Sequence, residues 1–185
     1  LVMISLVNQY GSHTTAAYGA CFQLWNYIQM PAFAVGSAVS AMSAQNIGAK
    51  RWDRVERIAL TGVVYNTALT SVLVLLVTSI DRAAFGLILG GGSESIEIAR
   101  HIHHVVSWSF ILFGVSFVLA SVVRSAGAVV PPLIIMFVSL WVVRLPIAYG
   151  LTPLWHAEAI WRSFPAGAVV SLVLSIAYYR FGRWR

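Results

Sequence analysis

The sequence is poor in charge and in cysteine. Only 10% of its 185 residues are Asp, Glu, Lys or Arg, whereas soluble globular domains carry about 25%. The single cysteine, Cys21, excludes a disulfide framework within these residues and has no Cys and His companions of the kind that bind zinc. So little charge argues against a soluble domain and indicates a protein that lies mostly in a membrane.

Long apolar runs take the place of the missing charge. Hydrophobic residues make up 59% of the chain, and the mean hydropathy is +0.80. Because a helix needs about 20 largely apolar residues to cross a bilayer, these runs predict an all-α, polytopic transmembrane helix bundle. We expect complete spans at residues 16–44, 58–80, 104–123, 131–151 and 160–179. Residues 1–8 are too few to cross and are expected to be the end of a sixth, truncated span.

Basic residues are distributed unevenly between the two ends of the predicted bundle. Successive connections alternate sides, so residues 45–57, 124–130 and 180–185 share one end, which carries eight basic residues, against three at the other end. Lys and Arg remain on the cytoplasmic side during insertion, so loop 45–57 and tail 180–185 are predicted to be cytoplasmic. Contact with lipid headgroups, rather than with nucleic acid, then explains the net charge of +6.

The loop 45–57 and the helix before it have patterns of their own. Gly48 is expected to end the first long helix in a left-handed conformation, and "KRWDRVER" is typical of a short amphipathic helix on the membrane surface. Upstream, small residues recur every four positions and predict a close approach to another helix: Ala32, Gly36, Ser40 and Ala44.

Val35 to Val55, "VGSAVSAMSAQNIGAKRWDRV", resembles the repeated signature of the MATE (multidrug and toxic compound extrusion) transporters. That signature runs from a small-residue helix through Ala-Gln-Asn-x-Gly-Ala to a basic turn that contains Asp-Arg. Two later stretches, "RSAGAVVPP" and "WVVRLPIAYGL", are similar to the family in the same order, and "AAYGACFQLWNYIQMPAFAVG" resembles the eighth helix of its bacterial members. The resemblance covers nearly the whole chain.

The resemblance implies a fold and an activity. Family members have twelve helices in two pseudo-symmetric lobes, so residues 1–185 would be the C-terminal transmembrane lobe, a fragment of a longer chain. The implied activity is cation-coupled antiport that exports bulky, often cationic amphiphilic compounds by alternating access, with no enzymatic step. The implied partners are the lipid bilayer, drug-like small molecules and the N-terminal lobe of the same chain, in the inner (plasma) membrane, and no nucleic acid.

Polar residues within the predicted spans are the candidates for substrate binding, because polar groups are costly in a membrane. Gln23, Asn26, Tyr27 and Met30 share one helical face at i, i+3, i+4 and i+7. Amide, aromatic and thioether groups together suit a cavity for varied aromatic cations. Asn66 is a further candidate in the next span. The alternative for all five is hydrogen bonding between helices.

Arg144 lies within a predicted span, two residues before Pro146. Pro146 leaves the carbonyl of Val142 without its helical donor, and a buried guanidinium needs such a carbonyl or a carboxylate. Arg144 is therefore expected to be a structural staple of the lobe or to extend to the membrane interface. The alternative is a part in the conformational switch, since the family carries an Arg-x-Pro pair at this place.

The acidic and histidine residues indicate what this chain does not supply. All six acids fall in predicted connections or at helix ends, and a proton or sodium site needs a carboxylate whose ionisation can be tuned. We therefore expect coupling to H⁺ rather than Na⁺, through a site in the N-terminal lobe. The tract "HIHH" (His101, His103, His104) is expected to be interfacial, and Glu158 to pair with Arg162. No metal site and no cofactor are expected.

Three other functions remain open. A lipid-linked saccharide flippase of related architecture would carry an anionic substrate and would need several Arg or Lys facing its cavity, of which only Arg144 qualifies. A membrane enzyme would need an intramembrane nucleophile–base pair or a set of histidine boxes, and one "HIHH" tract does not provide it. A structural membrane subunit is the remaining alternative.

Overall fold

The computed structural model describes residues 2–91 and 93–185, and all regular secondary structure within them is helical. The predicted all-α transmembrane bundle is confirmed. In chain order the elements are α1 (Val2–Asn8), α2 (Ser12–Gly48), α3 (Trp52–Ser79), α4 (Asp81–Leu89), α5 (Ser93–Val106), α6 (Ser109–Ser125), α7 (Val130–Phe137), a π-helical segment (Val138–Arg144), α8 (Leu145–Gly150), α9 (Thr152–Trp155) and α10 (Ala157–Phe181).

Within the described residues, three helical stretches are long and apolar enough to cross a membrane. They are α3, α10 and the stretch Val130–Gly150, which joins α7, the π-helical segment and α8. A fourth is formed by α5 and α6, which are bent by 47° at their junction, if the two count as one span. Helix α2 has 37 residues but is less apolar, because Ala, Gly, Ser and amide residues are frequent in it. Its assignment as a span, and the count of five, stay predictions; Leu1 of the truncated span lies outside the described residues.

The predicted loop 45–57 is mostly helical. The first long helix ends at Gly48 as expected, but the expectations of a left-handed Gly48 and of a separate surface helix were wrong. Helix α2 continues to Gly48 and α3 begins at Trp52, so only residues 49–51 separate them. The left-handed conformation falls on Lys50 (φ 56°) rather than on Gly48, because the amide of Arg51 turns back to the carbonyl of Asn46 at 2.8 Å. Residues 52–57 of the "KRWDRVER" segment form the first turns of α3, and Val55 and Ala59 are buried one turn apart on the same face.

Glycines set the distances between α2, α3 and α6. A methyl group on Gly36 would lie 2.6 Å from a ring carbon of Phe117, and one on Gly62 would overlap Val39. The small-residue series on α2 is only partly in contact: Ala32 and Gly36 are buried, but Ala44 is exposed. A four-residue step turns the helix by about 400°, so the series drifts about 40° per step and leaves the interface.

Buried hydrophobic residues form two clusters along the bundle. The larger cluster includes Trp25, Phe110 and Trp161, and it lies toward the end where α2, α5 and α10 begin. The smaller includes Val55 and Trp184, at the end where α3 begins and α10 stops. The aromatic cluster borders the candidate site.

Candidate functional site

An aromatic cavity of about 290 Å³ lies between α2, α6, the π-helical segment and α10. Helix α2 contributes Tyr18, Phe22, Trp25 and Gln29, which share one face because they are spaced i, i+4, i+7 and i+11. An apolar cavity of about 150 Å³ accepts one benzene, so this cavity has room for a molecule of about two rings. The walls from the other elements include Phe110 and Phe113 of α6, Ser139 and Arg144 of the π-helical segment, and Phe164 and Gly167 of α10.

Ring contacts hold three sides of the cavity together. The ring centroids of Tyr18 and Trp161 are 5.6 Å apart in a stacked arrangement. Trp25 lies 5.6 Å from Phe110 and 5.4 Å from Phe164, also between centroids. Aromatic pairs at such distances contribute about 0.5–1.5 kcal/mol each beyond their burial. Helices α2, α6 and α10 are therefore fixed to one another around the cavity.

Arg144 brings a positive charge to this aromatic wall. Its Cζ lies 3.3 Å from the centroid of the Phe164 ring, which is a cation–π contact. Its Nε is buried and has no hydrogen-bond partner among the described residues. The sequence suggested a carboxylate or a freed carbonyl as the partner of Arg144; the face of Phe164 occupies that place instead. Whether Arg144 serves as a staple or in a switch stays a prediction.

The local backbone explains how Arg144 comes so close to α10. The π-helical segment ends at Arg144, and exposed Pro146 follows two residues later. A Cβ atom on Gly167 would lie 3.2 Å from the carbonyl oxygen of Ser139 and 3.5 Å from Cβ of Arg144. Glycine at position 167 therefore permits the close packing of the two elements. Short π-helical insertions of this kind are frequent at functional sites.

Four of the predicted cavity residues lie outside this cavity. Gln23, Asn26, Tyr27 and Met30 do share a face of α2, but that face is exposed, with Tyr27 at 56% and Met30 at 57%. The side-chain amide of Asn26 donates to the carbonyl of Phe22 in its own helix at 2.9 Å. Their assignment to a substrate cavity therefore concerns the outer face of this lobe and stays a prediction.

Asn66 is fully buried, away from the aromatic cavity. Its side-chain nitrogen packs so closely on Gly114 of α6 that a methyl group there would overlap it. Within the described residues, neither its amide nitrogen nor its oxygen has a hydrogen-bond partner, and the same is true of the Thr70 hydroxyl one turn later. The interhelical hydrogen bond that the sequence suggested as an alternative is therefore not formed here, and the role of Asn66 stays a prediction.

A polar network lies at the end of the bundle where α2, α5 and α10 begin. The Asp81 carboxylate, in a residue only 4% exposed, accepts a hydrogen bond from Nε of Arg100 and pairs with Nε2 of His104, each at 2.9 Å. Burial acts to raise the pKa of Asp81, but the bonds from Arg100 and His104 outweigh it, so the pKa lies below its ordinary value. Asp81 thereby joins α4 to α5.

The "HIHH" histidines belong to the same network but bind different elements. His101 pairs with Glu158 of α10, His103 shares a hydrogen bond of 3.1 Å with Thr78 of α3, and His104 pairs with Asp81. Glu158 also lies 3.5 Å from Nε of Arg162, which confirms that predicted pair. In residues 2–91 and 93–185, no group of three or more His, Cys, Asp or Glu side chains could hold a metal ion.

The apolar helices and the buried aromatic site define an all-α, multi-pass membrane protein, and comparison with known proteins identifies its family. The MatE family model matches residues 1–150. The probable multidrug resistance protein YoeA of Bacillus subtilis (strain 168) is 36% identical over 183 residues, which cover 98% of this chain and 39% of YoeA. YpnP of the same organism, with the same description, is 29% identical over 185 residues, covering 100% of this chain and 41% of YpnP.

A third relative is more distant. The probable multidrug resistance protein NorM of Thermotoga maritima is 21% identical over 157 residues, which cover 84% of this chain and 34% of NorM. No solved structure matches. The chain belongs to the MatE family, and the resemblance to MATE transporters is confirmed. It spans about two fifths of the length of YoeA and YpnP.

The aromatic face of α2 is the part of the site that the sequence did not reveal. Polar residues are the candidates for substrate binding that a sequence suggests, because they are costly in a membrane. Tyr18, Phe22 and Trp25 look like ordinary core residues. Their spacing at i, i+4 and i+7 was the available signal. A stripe of this kind is equally typical of a packed core. Only the position of Arg144 opposite the stripe distinguishes a cavity wall from a packed core.

Proposed function

We propose that this chain is one lobe of a multidrug efflux transporter that exports bulky, often cationic amphiphilic compounds by alternating access. The match to the MatE family over residues 1–150 carries the proposal. The names of YoeA and YpnP as probable multidrug resistance proteins support it. The aromatic cavity supports it as well, since aromatic walls bind many planar molecules without requiring one pattern of hydrogen bonds.

The exposed face of α2 is the proposed contribution of this lobe to the main substrate cavity. Gln23, Asn26, Tyr27 and Met30 are uncharged and exposed together. An aromatic ring attracts a cation through its face, and a thioether adapts to irregular shapes. A second lobe packed opposite this face would enclose it. Such a face suits amphiphilic cations better than the aromatic cavity with its guanidinium does.

Transport is proposed to be antiport coupled to protons rather than sodium, with the coupling carboxylate outside this chain. Asp81 is already held by Arg100 and His104, and Glu158 is paired with His101 and Arg162. The remaining acids are exposed: Asp53, Glu56, Glu94 and Glu97. A coupling site needs a carboxylate at membrane depth whose proton or ion occupancy changes during the cycle, and all six acids fall in predicted connections or at helix ends. The proposed location is the inner plasma membrane, with a cytoplasmic C-terminus.

The test of substrate and coupling uses proteoliposomes that contain the complete transporter and a fluorescent lipophilic cation. A pH gradient should drive dye export, and a sodium gradient at equal pH should not. Tyr27→Ala should lower the export rate several-fold, because it removes an aromatic ring from the proposed cavity. The matched control is Tyr65→Ala on α3, a tyrosine that is 64% exposed. Equal rates for the two variants would contradict the role of the α2 face.

The location of the coupling site has its own test. Replacing the five acids other than Asp81 by their amides should leave pH-driven export intact in protein that reaches the membrane. Asp81→Asn is assayed separately, because this residue also holds α4 and α5 together. If the variant with these five substitutions inserts normally into the membrane but loses pH-driven export, the coupling site lies in this lobe. Vesicles with the 185-residue chain alone serve as the negative control.

A further inference from the structure

We infer that the aromatic cavity binds the carboxylate of a small aromatic monoanion, with Arg144 as its counter-ion. The inference concerns binding in this cavity and goes beyond the proposed export of cationic compounds. It names a class of ligand opposite in charge to the compounds proposed for the exposed face of α2. Three properties of the cavity support it: its charge, the unpaired hydrogen-bond donors in its wall and its size.

The charge at the cavity is positive and has no acidic partner there. Arg144 lines the cavity, and none of the chain's six acids does. An arginine stays protonated in proteins, and an uncompensated charge in apolar surroundings is costly. The contact with Phe164 offsets part of that cost, since a cation–π contact is weaker than a paired carboxylate. An anion in the cavity is therefore favoured, and a cation is disfavoured.

Two residues of the cavity wall carry hydrogen-bond donors without a partner. Nε of Arg144 and Nε1 of Trp25 are buried, and neither has a partner among the described residues. Trp25 is only 1% exposed, so its donor becomes available to a ligand only when the side chains that cover it turn. Both groups donate and neither accepts, so what is missing is an acceptor. A carboxylate accepts at both oxygens and donates at neither, which matches this need.

The size of the cavity and its single charge restrict the anion. A volume of about 290 Å³ has room for about two rings. One guanidinium matches one carboxylate, whereas a pyrophosphate-linked saccharide would need several cations and more space. Because Cζ of Arg144 lies over the ring of Phe164, the edge of the guanidinium, which carries its N–H groups, stays free to bind a carboxylate. The aromatic residues Phe22, Phe110 and Phe113 also line the cavity and would contact the remainder of the ligand.

The experiment uses the complete transporter, purified into lipid nanodiscs, and two fluorescent probes that differ in one group. The probes are 2-naphthoic acid, as its anion at pH 7, and methyl 2-naphthoate; empty nanodiscs correct for partition into lipid. The acid should bind about tenfold more tightly than the ester, or more, because a hydrogen-bonded ion pair is available only to the acid. In Arg144→Gln the ratio of the two affinities should fall to about one.

Three further variants make the result specific. Arg144→Lys keeps the charge but not the planar fork, so it should keep part of the preference for the acid. Trp25→Phe removes one hydrogen-bond donor and should weaken binding of the acid several-fold while leaving binding of the ester unchanged. This variant tests the anion site if Arg144→Gln does not fold. The matched control is Arg162→Gln, since Arg162 also lies on an aromatic ring, Trp155, at 5.2 Å, but is 59% exposed. The ratio of acid affinity to ester affinity in Arg162→Gln should equal that of the unaltered protein.

Equal affinity for acid and ester in the unaltered transporter would overturn the inference. An unchanged ratio in both Arg144→Gln and Trp25→Phe would do the same and would leave Arg144 as a structural staple. Export of the cationic dye from proteoliposomes is measured in parallel. If that export fails while the acid preference still depends on Arg144, the proposed function is wrong and the anion site stands.

Discussion

At the end of the bundle where α2 stops and α3 starts, charge is mainly of one sign and exposed. At the opposite end, acids, arginines and histidines are paired between helices. The first end carries eight basic residues: Lys50, Arg51, Arg54, Arg57, Arg124, Arg180, Arg183 and Arg185. The second carries all five histidines and four of the six acids, with Asp81 buried among its partners.

The difference separates two uses of charge in a membrane protein. Exposed charges of one sign interact with lipid headgroups and with the insertion machinery, so they act on orientation. Paired charges between helices act on the packing of those helices, and burial makes them stronger because water screens them less. The basic end, residues 45–57 with the tail 180–185, should therefore govern topology, and the histidine-rich end should govern stability. Four predictions test this separation, in order of decreasing expected effect.

The largest effect is expected from removing charge at the basic end. Replacing Lys50, Arg51, Arg54 and Arg57 by Gln leaves four basic residues there against three at the other end, so insertion should become mixed in orientation. For the assay, Arg54 is replaced by Cys instead of Gln, and an impermeant maleimide added to intact cells should label the mixed population but not the native orientation. Cys21 is buried, so its background should be low. Outside labelling of Arg54→Cys in the otherwise unaltered protein would overturn the predicted topology.

The next effect is expected at Asp81. Asp81→Asn weakens two hydrogen bonds from Arg100 and His104 in a buried place, and the unfolding temperature in detergent should fall by roughly 5 °C at pH 7. Because the folded pKa of Asp81 is below its ordinary value, its contribution is fully present above a pH of about 4 and is lost as the pH falls through the depressed pKa. The difference between variant and unaltered protein should therefore shrink as the pH falls below about 4.

Glu97 provides the control for Asp81. It also contacts Arg100, at 3.1 Å, but its side chain is 56% exposed, so Glu97→Gln should change the unfolding temperature very little. Equal effects of the two variants on the unfolding temperature would show that burial does not make the Asp81 pair stronger than the Glu97 pair.

A smaller effect is expected at Glu158, which joins α10 to α5 through His101. The side chains of His101 and Glu158 are 56% and 35% exposed, and that of Arg162 is 59% exposed. Pairs of such exposure contribute about 1 kcal/mol or less, so Glu158→Gln should lower the free energy of unfolding by no more than that. Denaturant unfolding followed by circular dichroism measures it, and a loss as large as that of Asp81→Asn would contradict the ranking.

The smallest effect is expected from the ion pair between the C-terminal tail and α3 at the basic end. Nη1 of Arg185 lies 2.6 Å from Oε1 of Glu56, but the two side chains are 42% and 56% exposed. Arg185→Gln should change the free energy of unfolding by about 0.5 kcal/mol or less, and 0.5 M salt should abolish the difference. Trp184 is buried beside this pair, so Trp184→Ala is the comparison that should destabilise the same end through lost packing.

Much of the fold could be predicted because it depends on local composition. Apolar run lengths predicted the helical bundle, and spacing predicted that Glu158 pairs with Arg162. The junction near Gly48 was misjudged, because a hydrogen bond from Arg51 to Asn46 places the left-handed residue at Lys50. The cavity-lining face of α2 could not be predicted from the sequence. The helix carries no strong amphipathic pattern, so its polar face and its aromatic face are equally plausible as cavity walls.

The sequence by itself determined that the chain is an all-α membrane bundle, to which family it belongs and which end is rich in basic residues, because hydropathy, motif order and charge are properties of the chain read in order. Only the tertiary structure decided that Arg144 lies on Phe164 beside Trp25, and that Asp81 joins Arg100 and His104. Those contacts join residues far apart in the chain, and they depend on the close approach that glycines such as Gly114 and Gly167 permit. Interhelical distances of that kind follow from how side chains pack together, which no single segment specifies.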